Sequence, residues 1–411
     1  MKIALINNLY QPFNRGGAET VVELMAKGLD RAGHQVFIIT TKPYLKKFSI
    51  FPAVAPQMRG QGGGNFQFSI YHINSLYYYL HRTPKFLRIF WHLWDMFNVI
   101  NYFKVKTILL RERPDVVITH NLKGVGYLIP LAIKQLKIKH GHYLHDIQLI
   151  HPSGLMIYGQ EERINEWPAK IYQNLCHWLF NSPAIVISPT NWLLKMHTDK
   201  NFFTESNKVV LSSSASSQTL SLLLPRTKLR GKRGDGEVFR FLYLGQIVSH
   251  KGIIFLITAF AKLQQQVNQQ KIELLIAGRG SRVKEVKQLA EKNNQIKFLG
   301  WQNREQVNKL LLSVDCLVVP SLCYENSPTV INLAWTAGLP VLAAKIGGIT
   351  ELAEDGSGIL FEPGNIGDLV NKMSWALTNE NELLKIGQIG KEKAERFNSS
   401  DFVNKLIELI K

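Results

Sequence analysis

The sequence predicts an α/β protein built from two doubly wound parallel sheets, and three observations carry the prediction. Short β-branched runs alternate with longer segments that are apolar at helical spacing. The alternation occurs twice, on either side of a Ser-rich and then Lys/Arg/Gly-rich stretch over residues 212–236, which reads as a linker. A length of 411 residues suits about two cores of ordinary size. With 45% hydrophobic and 19% charged residues, the composition is that of a globular chain and excludes a disordered one.

Residues 2–6 (KIALI) form the first strand, too short an apolar run for a secretory signal peptide. The loop NNLYQPFNRGGAE then leads into a helix expected to begin near Ala18. Gly16 and Gly17 stand just before it, where paired glycines let the backbone approach a ligand and the helix start favours an oxyanion. A plain tight turn is the alternative. QVFIITT, DVVITHN, GHYLHD and AIVISPT follow as strands. His145 and Asp146 close GHYLHD at the lip of the sheet, where the imidazole can orient a hydroxyl or phosphate and the acid can fix its tautomer. A satisfied surface pair is the alternative there.

The second alternation runs through RFLYLGQ, IELLIAGRG, IKFLG, DCLVVPS and PVLAAK, each followed by a helical pattern. In YLGQIVSHKGIIFLITAF a strand ends at Gly245, the loop carries His250 and Lys251, and Gly252 opens a helix. A cation beside the positive end of a helix dipole is unfavourable unless an anion lies near, so Lys251 suits phosphate better than open solvent. In SLCYENSPTVINLAWTAGLPVLA, Ser327 is the expected N-cap, Pro328 and Thr329 the first turn, and Gly338 the stop. Glu325 lies just outside that start, placed either to accept hydrogen bonds from sugar hydroxyls or to complete the cap.

The net charge is +18, and residues 1–210 hold 24 basic against 12 acidic side chains, with five more basic ones in RTKLRGKR at 226–233. LYYYLHRTPKFLRIFWHLWDMFNVINYFKVK interleaves Lys and Arg with aromatics, which fits an interfacial helix on an anionic membrane or a buried helix whose aromatics are core. Arg88, His92 and Asp95 interrupt its apolar run, so no bilayer span is expected. No recognisable nucleic-acid module accompanies the charge. Cys176, Cys316 and Cys323 lie in apolar segments without a C-x-x-C pair and fit a reducing, cytoplasmic compartment.

In order, GGAE, LHD, YLG-x5-KG, LLIAGRG, IKFLG, CLVVPS-x3-EN-x-P, AG-x-PV and GG-x-x-E resemble the retaining glycosyltransferases of family 4, of GT-B fold. The resemblance covers nearly the whole chain and is densest over residues 240–363. It implies an acceptor-side Rossmann-like domain at 1–211, the linker at 212–236, a nucleotide-sugar domain at 237–394, and a helix at 395–411 crossing back to the first domain. Neither cofactor nor metal is implied, in keeping with the lack of an Asp-x-Asp pair. Lys251 looks like the diphosphate lysine and Glu325 like the glutamate that contacts the donor sugar. Ser327, Pro328 and Thr329 match the phosphate-facing turn, and Trp301 the loop beside the nucleobase. Gly16 and Gly17 match the glycine loop of the acceptor side, and His145, followed by Asp146, the histidine beside the reacting sugar.

Three positions depart from the pattern. Gln246 stands where the resemblance implies a second cation on the diphosphate, Leu333 where it implies a ribose-binding glutamate, and SSSAS where it implies Asn-Gly. The implied activity is retaining transfer from a nucleotide sugar to a glycan, lipid-linked or other hydroxyl acceptor. Its setting is cell-surface polysaccharide or glycoconjugate synthesis on the inner face of the membrane, without nucleic acid. A degenerate, non-catalytic partner subunit is the alternative.

Overall fold

The computed structural model describes residues 1–13, 16–44, 68–84, 87–181, 183–212, 238–267, 271–396 and 399–411. Apart from Ser212, the expected linker at 212–236 lies outside the described residues, and so does the basic run at 226–233. The chain divides into two compact units. One comprises Met1–Gly154, Glu162–Ser213 and Ser399–Lys411, and the other Leu155–Glu161 and Ser214–Asn398.

In the first unit, strands β1 (Lys2–Ile6), β2 (Gln35–Pro43), β3 (Ser69–Ser75), β4 (Val116–Thr119), β5 (Lys139–Tyr143), β6 (Ile185–Ser188) and β7 (Asn207–Val210) form a parallel sheet in the order 3-2-1-4-5-6-7. Ile3 to Ile6 and Val116 to Ile118 are almost fully buried, as expected where helices cover both faces of a sheet. Helices α1 (Gly17–Arg31), α2 (Arg88–Met96), α3 (Val99–Glu112), α4 (Ile129–Gln135), α5 (Trp167–Leu179) and α6 (Asn191–Thr198) connect the strands. The aromatic, basic stretch from Leu76 is not one helix. It is a 3-10 segment (Leu76–Arg82), then α2, then α3, which starts afresh because the Asn98 side chain accepts the Asn101 N–H at 2.9 Å.

In the second unit, β8 (Phe239–Leu244), β9 (Ile272–Ala277), β10 (Ile296–Gly300), β11 (Cys316–Val319), β12 (Val341–Ala344) and β13 (Ile359–Phe361) form a parallel sheet in the order 10-9-8-11-12-13. Its helices are α7 (Ile253–Gln266), α8 (Val283–Glu291), α9 (Arg304–Ser313), α10 (Thr329–Thr336), α11 (Gly348–Ala353), α12 (Ile366–Thr378) and α13 (Glu380–Arg396). On α7, Ile253, Leu256, Ile257, Phe260 and Leu263 share one helical stripe and are buried in the core. Trp335 of α10 is fully buried and donates its indole N–H to the Ser357 carbonyl at 2.8 Å, which satisfies the one polar atom such a ring brings inside.

The last helix, α14 (Ser399–Ile410), belongs to the first unit. Its Phe402, Val403, Leu406, Ile407 and Ile410 join Val22, Met25 and Leu29 of α1 in a single buried cluster. Gly28 makes the contact possible, since a Cβ there would overlap the Val403 side chain. Lys139 closes the helix end by donating to the Ile410 carbonyl at 3.1 Å.

Candidate active site

Each sheet reverses its strand order once, and ligand-binding loops of open α/β sheets cluster at such points. In the second unit the reversal falls between β8 and β11, so the loop after β8 (residues 245–252) and the loop after β11 (residues 320–328) lie side by side. Leu322 N–H donates to the His250 carbonyl at 2.9 Å and ties the loops together. Topology thereby brings together two residues far apart in sequence: Lys251 Nζ lies 2.6 Å from Glu325 Oε2. The other carboxylate oxygen, Oε1, accepts a hydrogen bond from the buried Ser321 hydroxyl.

Burial lowers the pKa of the Lys251 ammonium, but the Glu325 carboxylate outweighs it and the net shift is upward, so the lysine stays charged. For the neighbouring His250, burial and then the Lys251 charge lower the pKa, and the imidazole is neutral at pH 7. Cys323 is pushed up to about 12, by burial first and Glu325 second, which keeps its thiol protonated and unsuited to nucleophilic attack.

Close backbone approach shapes this site. Gly252 has φ +72°, and a Cβ there would overlap the Pro320 carbonyl oxygen. A Cβ at Gly347 would come within 2.6 Å of the Glu325 carbonyl oxygen, which also accepts the Gly348 N–H at 2.8 Å. Side chains at Gly278 and Gly280 would overlap the backbone at Gly245 and Ile247, so the GRG after β9 is what lets its loop lie against the loop after β8.

Helix α10 starts one residue later than the sequence suggests. Pro328, not Ser327, is its N-cap, with ψ 119°, and no side chain caps it. Pro328 keeps an extended backbone instead of opening the first turn, so the junction between loop and helix falls on it and not on Ser327. Thr329 is the first helical residue, and the start of α10 is left open beside Glu325. Glu325 therefore does not complete a cap.

Among the remaining donor-side candidates, Gln246 is exposed, and its carbonyl accepts the Tyr243 hydroxyl at 2.6 Å. Trp301 is 60% exposed after β10, with the Arg279 guanidinium 6.0 Å from its ring centre. Leu333 packs against the hydrophobic core. A segment the sequence offers no reason to place here, Leu155–Glu161, belongs to the second unit and lines the same loop. Ile157 bridges Cys323, Tyr324 N–H donates to the Met156 carbonyl at 2.8 Å, and the Tyr324 hydroxyl donates to Glu161 at 3.0 Å.

The acceptor-side candidates lie in the first unit, whose order reverses between β1 and β4. Gly16 is the N-cap of α1 and Gly17 its first residue, one position earlier than expected. Glu19 accepts the Gly16 N–H at 3.0 Å, and a Cβ on Gly16 would meet only Glu19, at 3.6 Å, so the protein's own packing does not demand glycine there. His145 and Asp146 lie past the end of β5. The ring partner fixing His145 is His120, Nδ1 to Nε2 at 2.9 Å, and not Asp146. Asp146 accepts the Gln148 N–H at 2.7 Å and a hydrogen bond from the Asn121 side chain, and so shapes its own loop.

Burial pulls His145 down to about 3 and pushes Asp146 up to about 6. His120 is lowered well below the usual imidazole range by burial and then by His145. Its Nε2 is buried with no hydrogen-bond partner among the described residues. A stranded N–H costs more than a stranded lone pair, so the His120 proton is assigned to Nδ1, and the His145 proton then to its own Nδ1. His145 is therefore neutral, with its proton on the nitrogen away from His120. Sequence reasoning overlooked Ser321 and His120; the only hint of either was its place at the end of a strand.

Two parallel-sheet Rossmann-like units with switch-point loops of this kind define a GT-B protein. Residues 226–393 match the family described as Glycosyl transferases group 1, and residues 15–211 match Glycosyltransferase Family 4. The chain belongs to this family and is a glycosyltransferase. It is 26% identical to an uncharacterized 42.6 kDa protein in the cps region of Klebsiella pneumoniae, over 86% of this chain and 87% of that one. It is 25% identical to an uncharacterized glycosyltransferase of Methanocaldococcus jannaschii, over 89% and 86% of the two chains. Among solved structures, HepE of Anabaena in complex with UDP and glucose superposes with a TM-score of 0.70 over 100% of this chain and 99% of that one, at 19% identity. No helix among the described residues is long and apolar enough to cross a membrane.

Proposed function

We propose that the protein transfers a glycosyl unit, with retention at the anomeric carbon, from a nucleoside diphosphate sugar to a hydroxyl of a glycan or lipid-linked acceptor. The setting is cell-surface polysaccharide or glycoconjugate synthesis at the cytoplasmic face of a membrane. The observation that carries this reading is the 2.6 Å pair of Lys251 and Glu325 beside the uncapped start of α10. An ammonium and an open helix N-terminus act on charge that builds on a departing diphosphate, a task that needs no metal ion. Glu325, held by Ser321, accepts hydrogen bonds from donor-sugar hydroxyls while Lys251 turns toward phosphate. His145 orients the donor sugar or the incoming hydroxyl and has no role as a nucleophile. Binding of UDP by HepE supports a nucleotide donor of this type.

The second reading, a non-catalytic partner, draws on Gln246 and Leu333, since an exposed amide and a core-packed leucine give the donor neither charge nor ribose contact. A screen of nucleotide sugars for slow hydrolysis or transfer separates the two. The transferase reading expects turnover with one donor and its loss in Lys251→Ala and Glu325→Ala. Absence of turnover with every donor, together with a cellular phenotype that survives both substitutions, would establish the partner reading.

A further inference from the structure

The outer surface of α2 and α3 carries an apolar patch that stays exposed among the described residues. Their inward positions are Asp95 and Met96 on α2 and Asn101, Val105 and Leu109 on α3, all buried. The remaining face of a surface helix is ordinarily polar. Here it presents Phe90, Trp94 and Phe97 at spacings of about one turn, then Ile100, Phe103 and Leu110. Phe90, Trp94 and Phe103 are 66%, 56% and 59% exposed. Single exposed apolar side chains need no explanation, but a run of them over two consecutive helices does.

The outward charges of α3 have one sign. Exposed Lys104 and Arg111, with Arg113 at the helix end, accompany the aromatics, while half-buried Lys106 donates to Gln135 at 2.7 Å and the acids of the two helices are withdrawn. Asp95 is buried and accepts the Gly124 N–H at 2.7 Å, and Glu112 is held by Lys2, Tyr71 and Arg111. Lys104 and Arg111 are exposed and follow Ile100 by four and eleven residues, so they share its side of the helix. Aromatic and aliphatic side chains ringed by long basic ones, whose stems lie in apolar surroundings while their heads reach phosphate, match the boundary of an anionic bilayer. At nine and 14 residues the helices are too short to span, so they would lie in the interface plane.

We propose that the α2–α3 surface inserts into the headgroup boundary of an anionic lipid membrane. The inference rests on the membrane setting proposed above, and it adds the surface and the lipid chemistry. Its test is made independently of turnover. The full chain is floated with vesicles of phosphatidylcholine alone or mixed with phosphatidylglycerol, at low and high salt. The proteins compared are the wild type, the triple variant Phe90→Ser, Trp94→Ser, Phe103→Ser, and the double variant Lys104→Gln, Arg111→Gln.

Binding is expected only with phosphatidylglycerol and is expected to weaken with salt, fall more than tenfold in the triple variant, and lose part of its salt dependence in the double variant. Circular dichroism and the thermal midpoint should show all variants folded, since the altered side chains face outward. Equal binding to both vesicle types, binding undiminished in the triple variant, or absence of vesicle binding would each overturn the proposal. Self-association in sedimentation that the triple variant abolishes, without vesicle binding, would assign the patch to a second copy of the chain instead. Failure of vesicle binding would leave donor turnover untouched, and failure of turnover would leave vesicle binding untouched.

Discussion

Gly252→Ala offers a sharp test of how the backbone builds the donor site. Two costs arise at this position. The first is conformational: φ is +72°, and an alanine there pays about 1–2 kcal/mol for a left-handed backbone. The second is steric, because the new Cβ overlaps the Pro320 carbonyl oxygen at the end of β11. That carbonyl belongs to a backbone hemmed in by β8 and β12, so relief requires the loop carrying Ser321 and Glu325 to move, on the order of 1 Å. A displacement of that size at a group that positions the reactants costs about 100-fold in rate.

Gly338→Ala isolates the first cost. Its φ is +64°, yet a Cβ there meets only the Lys391 side chain at 3.8 Å. Urea denaturation of the two variants, with donor turnover measured for each, separates the terms. Gly338→Ala should lose about 1–2 kcal/mol of stability and turn over donor as the wild type does. Gly252→Ala should lose more stability and about 100-fold in turnover. If the two variants match in both measurements, the close approach of the β8 and β11 loops is not what shapes the site.

Three further outcomes are expected. Ser321→Ala, which frees one oxygen of Glu325, should lower turnover about tenfold or more while leaving the fold intact, and Ser321→Thr should restore part of it; unchanged kinetics would separate Ser321 from the site. Stability should rise with pH between about 4 and 6.5. In that window five buried histidines of the first unit (His120, His140, His142, His145 and His197) take up protons only on unfolding, whereas Asp95 and Asp146, raised to about 7 and about 6, release them. The net uptake of three protons gives a slope of at most about 4 kcal/mol per pH unit, read as a denaturation midpoint that falls on acidification; a flat midpoint would contradict it. Gly28→Leu should displace α14 and remove several buried side chains from the core at about 1.5–3 kcal/mol each, seen as rapid proteolysis near residue 400, and a protease-resistant variant would refute that packing.

Much of the fold was legible because parallel strands buried on both faces read as unbroken β-branched runs: KIALI, FIIT, VVIT, IVIS and CLVV all became strands. β3 escaped because SIYHINS mixes polar and apolar residues, and β13 because three residues carry no period. Lys251 was visible from dipole chemistry, and a meeting with Glu325 follows once β8 and β11 are neighbours, a relation set by topology. Ser321 and His120 were not visible, since a serine or histidine at a strand end has no pattern until the partner is in place. The same holds for Leu155–Glu161, which lies in sequence among elements of the first unit and folds with the second. The residue types do not reveal that Pro328 keeps an extended ψ of 119° instead of opening the first turn, and that moves the N-cap one place beyond Ser327.

The central claim is that Lys251 and the open start of α10 hold a diphosphate. Isothermal titration of the uridine, guanosine, adenosine and thymidine diphosphates, each beside its monophosphate, tests it most directly in wild type and Lys251→Met. The account predicts that one diphosphate binds the wild type more tightly than its monophosphate. It predicts that Lys251→Met erases that preference, a loss of about 10- to 150-fold for a charge-assisted contact. Equal affinity of both proteins for the diphosphate would contradict it.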